Sequence, residues 1–78
     1  MDKNNNKAVY FMKVIDEFDV TDRTKLRLQV GEYRDQERID LRQYIKVDNE
    51  FIPSKKGINF NSEWRDRFFE MVDKLRDI

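Results

Sequence analysis

Basic side chains fall at alternate positions along two stretches of this chain, Lys25 and Arg27 in the first and Arg38, Arg42 and Lys46 in the second. A further pair, Lys55-Lys56, stands directly before Gly57. Cations spaced in this way can neutralise a line of phosphates. Aromatic rings nearby (Tyr10, Tyr33, Tyr44 and Phe51) offer flat faces for bases, each stack worth about 1–3 kcal/mol. A glycine after a basic pair also lets the backbone come close to a phosphate. The inventory for other chemistry is thin. The sequence holds no histidine and no cysteine, which removes the thiol nucleophile, disulfides and the usual zinc-ligand sets. Ser54 and Ser62 have no partner base, and Asp35 and Glu37 have no second acidic cluster to share a metal. Neither catalysis nor a metal or other cofactor is expected.

The segments that must carry these cations alternate cleanly. From Thr24 to Tyr33, Leu26, Leu28 and Val30 share one face and Lys25, Arg27 and Gln29 the other. From Arg38 to Val47, Ile39, Leu41, Ile45 and Val47 lie opposite Arg38, Asp40, Arg42, Tyr44 and Lys46. Two strands with one apolar and one basic face are the signature of a half-buried antiparallel sheet. Arg34 to Glu37 is a polar break of hairpin length, and Thr21 to Arg23 a turn. Met12–Val20 is rich in β-formers and is predicted to be a strand, although Ala8, Phe11, Met12 and Ile15 also fit a helical stripe. Asp48 to Gly57 contains the only proline, Pro53, and is predicted as loop or edge, followed by a short strand around Ile58 and Phe60. Asn61 is placed to cap a helix with Glu63 in its first turn, running to near Ile78. Trp64, Phe68, Met71, Val72, Leu75 and Ile78 fall within an arc of roughly 120° on that helix. Phe69 widens the apolar surface beyond what one small sheet needs. The order is four antiparallel strands and then one helix.

A chain of 78 residues makes one small domain of marginal stability, and self-association is the remaining way to enlarge its core. Residues 1–7 are expected to be disordered and residues 8–78 to form the single domain. The 16 Lys and Arg balance the 16 Asp and Glu, so bulk charge does not attract nucleic acid, and distribution has to do so. Thr21 to Lys46 carries seven basic residues against five acidic ones, a slight excess in the part that reads as sheet. No stretch is apolar for long enough to cross a membrane and nothing resembles a signal peptide, so a cytoplasmic protein is expected.

The run Ile39-Asp40-Leu41-Arg42-Gln43-Tyr44, followed by Lys55-Lys56-Gly57-Ile58, Asn61 and Trp64, resembles the family of the transcriptional coactivator positive cofactor four. The likeness covers roughly Thr24 to Leu75 in the same order and at nearly the same spacing. It implies an α+β fold, a curved four-stranded antiparallel sheet followed by a C-terminal helix, forming a homodimer through helix and sheet. It also implies sequence-nonspecific binding of single-stranded DNA along the paired sheets, without metal or cofactor, in the service of transcription, replication or recombination. Carried onto this chain, Arg42, Lys55 and Lys56 contact phosphates. Lys25, Arg27, Lys46, Tyr33, Tyr44 and Gly57 complete the nucleic-acid site, and Trp64, Phe68, Phe69 and Val72 form the dimer interface. The chain departs from the pattern at Ile45, where many members carry Trp, and at the acidic hairpin tip Tyr33-Arg34-Asp35-Gln36-Glu37. It also lacks the serine- and lysine-rich extension of eukaryotic members. A bacterial or phage member, in the host cytoplasm if phage, is the more natural reading, with a nuclear location reserved for a eukaryotic source.

Plainer roles stand beside these. A strand face of Lys and Arg is commonly just solvated. Tyr44 can be a packing residue with a hydrogen-bonded hydroxyl, and Arg42 can pair with Asp40. Trp64 belongs to a core or to a dimer interface. The rival function is a protein-interaction adaptor dimer that docks a polymerase, recombinase or transcription factor.

Overall fold

The computed structural model describes residues 10–78, with side chains from residue 13 onward. The N-terminal segment expected to be disordered and the side chain of Tyr10 therefore lie outside the described residues. Four strands, β1 (Tyr10–Thr21), β2 (Thr24–Tyr33), β3 (Gln36–Val47) and β4 (Glu50–Asn61), form an antiparallel meander in the order β1-β2-β3-β4. A 3-10 turn (Ser62–Trp64), the helix α1 (Arg65–Asp73) and a second 3-10 turn (Lys74–Asp77) complete the chain. This is the α+β architecture expected from the alternation of apolar and basic residues.

The two central hairpins are tight. Arg34 and Asp35 (φ 54° and 64°) join β2 to β3, and Asp48 and Asn49 (φ 53° and 69°) join β3 to β4. Paired left-handed residues match the right-handed twist of the strands they connect, and Asp and Asn tolerate that conformation better than other residues with side chains. The predicted four-residue break at Arg34–Glu37 thus narrows to two, because Gln36 already pairs with Tyr33.

Of the two readings of Asp48–Gly57, loop or edge, the structure has the edge: after the turn the segment is strand, continuous with Ile58 and Phe60 as β4. Pro53 is tolerated because β4 is an edge strand with no neighbour on its outer side. The predicted strand over Met12–Val20 is present within β1, but its faces do not simply alternate. Register shifts between Phe11 and Lys13, Val14 and Asp16, and Asp19 and Thr21 interrupt its pairing with β2. Each bulge bends the strand and resets which side chains face which way. Val14 therefore pairs with Gln29 on the polar side, whereas Asp16 and Phe18 pair with Leu28 and Leu26 on the apolar side.

Asn61 caps the C-terminal segment as expected, its side chain accepting from the Glu63 backbone N–H at 2.8 Å. The helix lies over the apolar sheet face near Phe60, whose ring sits 4.8 Å from Phe68 and 6.1 Å from Trp64. One helix cannot cover the sheet. Ile45, Val47, Ile52 and Ile58 stay exposed, as do Trp64, Phe69, Met71 and Leu75 on the helix. Trp64 is thus not a core residue of this fold, being 63% exposed. The radius of gyration is 14.2 Å, against about 11 Å for a closed globule of this length. The molecule is a slab with its apolar side largely open. Among the described residues, no helix is long and apolar enough to cross a membrane.

Candidate nucleic-acid interface

The polar face of the sheet is built from rows of residues that run across the strands. One row is Glu17, Arg27, Arg42 and Gly57; the next is Asp19, Lys25, Tyr44 and Pro53. A third joins Gln29, Asp40 and Asn59, and Arg38 with Asn61 lies beyond it. Directly opposed residues on antiparallel strands point to the same side, so pairing alone brings these groups together.

At the centre lies Asp40, only 1% exposed although no second layer covers this face. Its neighbours roof it. Gln29 donates to Asp40 Oδ2 at 3.2 Å and to the Tyr44 hydroxyl at 2.6 Å. Asn59 donates at 3.3 Å, and Arg42 donates through Nε at 3.2 Å and a terminal nitrogen at 2.9 Å. Asp40 is therefore the acceptor on which three side chains converge, and among the described residues no buried side-chain polar atom lacks a partner. A fully satisfied network of this kind fixes the positions of its members. The hydrogen bond to Asp40 raises the Arg42 guanidinium above its ordinary value, the attraction of the Asp40 charge adding to it, so the arginine stays charged. Arg42 also donates to the Ser54 carbonyl at 2.9 Å, tying β3 to β4.

Both plain roles weighed for Arg42 and Tyr44 are present in the structure. Arg42 pairs with Asp40, keeping a side chain 20% exposed toward solvent. Tyr44 is 5% exposed, its hydroxyl is bonded by Gln29, and the Arg27 guanidinium lies 4.0 Å from its ring centre. Its face is already occupied by a cation. Phe51 is the more open ring on this side, half-buried beside Lys25 Nζ at 4.9 Å and Lys46 Nζ at 5.9 Å. Tyr33 lies at the far end of β2, with Arg34 5.1 Å from its ring.

Lys55 and Lys56 sit on a bulge. Arg42 pairs with Gly57 and Tyr44 with Pro53, so Ser54, Lys55 and Lys56 together face the single residue Gln43. Ser54 holds this excursion by donating to the Gln43 carbonyl at 2.8 Å and accepting from the Lys56 N–H at 3.1 Å. Both lysines are exposed. Gly57 ends the bulge pressed against β3: a Cβ there would lie 2.7 Å from the Leu41 carbonyl oxygen and 2.9 Å from the Arg42 Cα. The close backbone approach observed at Gly57 is therefore to β3.

The cations divide into held and free. Arg27 Nε bonds Glu17 at 2.7 Å, and Lys25 Nζ reaches Glu17 at 3.4 Å and Asp19 at 3.6 Å. The hydrogen bond from Arg27 is the main cause that keeps the Glu17 carboxyl below the usual range. Among the described residues, Arg38, Lys46, Lys55 and Lys56 form no ion pair; Arg38 is steered by Asn59, accepting at 2.8 Å. Asn59, Ser54 and Glu17 are residues of this face that sequence reasoning missed; alternation places Gln29 there, but not its bonds to Asp40 and Tyr44. The Ile-Asp-x-Arg-x-Tyr pattern flagged Asp40 as a motif residue but not as the hub. Of the dimer candidates, Phe68 lines grooves on both sides of α1. One also holds Ile58, Phe60, Trp64 and Met71, the other Leu28, Val30, Ile39 and Phe69. Val72 is 40% exposed.

Fold and face together define a small α+β module whose open sheet presents a basic polar surface on one side and an uncovered apolar surface with a helix on the other. The sequence matches the family of the Transcriptional Coactivator p15 (PC4) over residues 20–71, and the chain belongs to that family. Among solved structures, a PC4 homologue from Burkholderia pseudomallei is similar with a TM-score of 0.69 and 21% identity, over 77% of this chain and 90% of that one. The bacteriophage T5 homologue of the eukaryotic coactivator PC4, implicated in recombination-dependent DNA replication, is similar with a TM-score of 0.63 and 20% identity, over 86% of this chain and 75% of that one. No match is found among curated proteins.

Proposed function

We propose that this chain binds single-stranded DNA without sequence preference, on the polar face of its sheet, as a non-catalytic homodimer. The observation that carries the reading is the convergence on one face of Arg27, Arg42, Lys25 and Lys46 with the ring of Phe51, next to a bulge that exposes Lys55 and Lys56. A basic track with an accessible ring suits single strands, whose unstacked bases can lie on aromatic faces. Tyr33 and Phe51 are the stacking candidates, and Tyr44 supports the track from beneath.

The dimer is supported by the uncovered apolar side. Trp64, Phe69, Met71 and Leu75 are each more than half exposed, a pattern that marks an association surface in a soluble domain. Residues 8–78 would act as one domain within that dimer. The likeness to a phage protein implicated in recombination-dependent DNA replication, and to a transcriptional coactivator family, makes replication, recombination and transcription the processes to examine. The same apolar surface favours a second reading, an adaptor that docks another protein. The two differ in salt response, since phosphate contacts weaken steeply with salt and apolar docking does not.

Fluorescence anisotropy with an unstructured oligothymidine and a duplex of equal length at low salt tests the reading. Tighter binding to the single strand is expected. No binding to oligothymidine at micromolar protein would overturn it.

A further inference from the structure

Arg27 and Arg42 occupy one row of the polar face, but their carboxylate partners differ in kind. Asp40 is 1% exposed and receives hydrogen bonds from Gln29, Asn59 and Arg42, so it cannot leave without unmaking the network. The Glu17 side chain is 33% exposed, stands on the edge strand β1 and, among the described residues, bonds only cations of the proposed track: Arg27 at 2.7 Å and Lys25 at 3.4 Å. It blocks two of the positive charges that a phosphate would seek while remaining free to swing into water.

We infer that Glu17 is a displaceable internal competitor for phosphate, lodged on Lys25 and Arg27 in the free protein and expelled when single-stranded DNA binds. This rests on the single-strand reading above and adds its regulation. A lone phosphate meets a tethered rival at these two cations. A strand that has already engaged the unpaired Lys46, Lys55 and Lys56 brings its next phosphates to Lys25 and Arg27 at high local concentration, and displaces the carboxylate. Glu17 thus lowers affinity overall and favours ligands that present several phosphates in line. It also damps the salt response. Each phosphate neutralised releases a counterion from the DNA, while the expelled carboxylate takes one up from solution.

Glu17→Gln keeps the side-chain length and an oxygen that can accept from Arg27, but removes the charge. Oligothymidine binding is measured by anisotropy across a series of salt concentrations for the wild type, Glu17→Gln and the control Glu70→Gln, whose carboxylate lies on α1 3.7 Å from Arg67. Expected for Glu17→Gln is binding about three- to tenfold tighter at low salt, with a salt slope steeper by about one unit. Glu70→Gln should match the wild type. Equal or weaker binding by Glu17→Gln, or an equal gain in Glu70→Gln, overturns the competitor role while leaving single-strand binding intact. Failure of both wild type and Glu17→Gln to bind overturns the two readings together.

Discussion

Arg27 and Arg42 face each other directly across β2 and β3, two like charges on one side of the sheet. Such pairs repel, and here each guanidinium is balanced by a different carboxylate, Glu17 on β1 for Arg27 and Asp40 on β3 for Arg42. Arg27 lies in addition on the Tyr44 ring, whose hydroxyl is bonded through Gln29 to the Asp40 site. The positive row therefore depends on a buried acidic centre, and changes to that centre should be felt in both stability and binding.

Asp40→Asn places an amide among donors that all need an acceptor. Removing one partner of a buried ion pair is strongly destabilising, and a loss of about 3 kcal/mol is expected in urea unfolding. Asp40→Asn with unchanged stability would show that Arg42 and Asn59 find other acceptors.

Lys55→Ala combined with Lys56→Ala should do the reverse. Both side chains are exposed and unpaired, so stability should change by less than about 0.5 kcal/mol. Oligothymidine binding should weaken, and the salt slope should flatten by about one to two units. An unchanged slope would remove the bulge from the site.

Gly57→Ala tests the seam between β3 and β4. Its methyl would sit under 3 Å from backbone atoms of Leu41 and Arg42, which cannot retreat as a side chain can. A loss of about 1–3 kcal/mol is expected in thermal or urea unfolding.

The Glu17 pair gives stability a dependence on pH. Its folded pKa is lowered, chiefly by the hydrogen bond from Arg27, so the unfolded chain takes up a proton first as pH falls. The contribution is fully present above the ordinary glutamate value of about 4.3 and is lost as pH falls through the lower folded value. Wild type and Glu17→Gln should therefore converge in melting temperature on acidification below about pH 4. A constant difference down to the acid limit would refute the linkage.

Phe69→Asp addresses the apolar side. If helix and sheet pack against a second copy, light scattering of the wild type gives twice the chain mass and its melting temperature rises with concentration. Phe69→Asp should lower both. A wild-type monomer at tens of micromolar would remove the dimer.

The alternation of Leu26, Leu28 and Val30 against Lys25, Arg27 and Gln29 was enough to locate β2 at Thr24–Tyr33 and to assign its faces. Asn61 was likewise legible as a cap, because a capping residue acts within three positions of itself. What stayed hidden depends on register. Pro53 and the Lys55-Lys56-Gly57 run have loop composition, and only the edge position of β4 makes them strand. Glu17 reaches Arg27 only because bulges on β1 set its side, and no local pattern in the sequence reports a bulge. The basic residues of the face could be found one at a time. Of their acidic partners, Asp40 stands two residues from Arg42 on the same strand and was legible, whereas Glu17 required the pairing of strands.

The bulge opposite Gln43 has an arithmetical side. Between two successive pairings, Arg42 with Gly57 and Tyr44 with Pro53, β3 advances two residues and β4 four. The surplus is even, so Asn59 still faces Asp40 and Phe60 still faces Phe68. With one residue more or fewer the count is odd, and Phe60 and Asn59 keep their sides only if β4 closes over an odd bulge, as β1 does between Val14 and Asp16. Removing two would erase the excursion yet keep every later side chain on its own side. The length of the lysine bulge is thus separable from the facing of the residues beyond it, an expectation that segment lengths across the family can test.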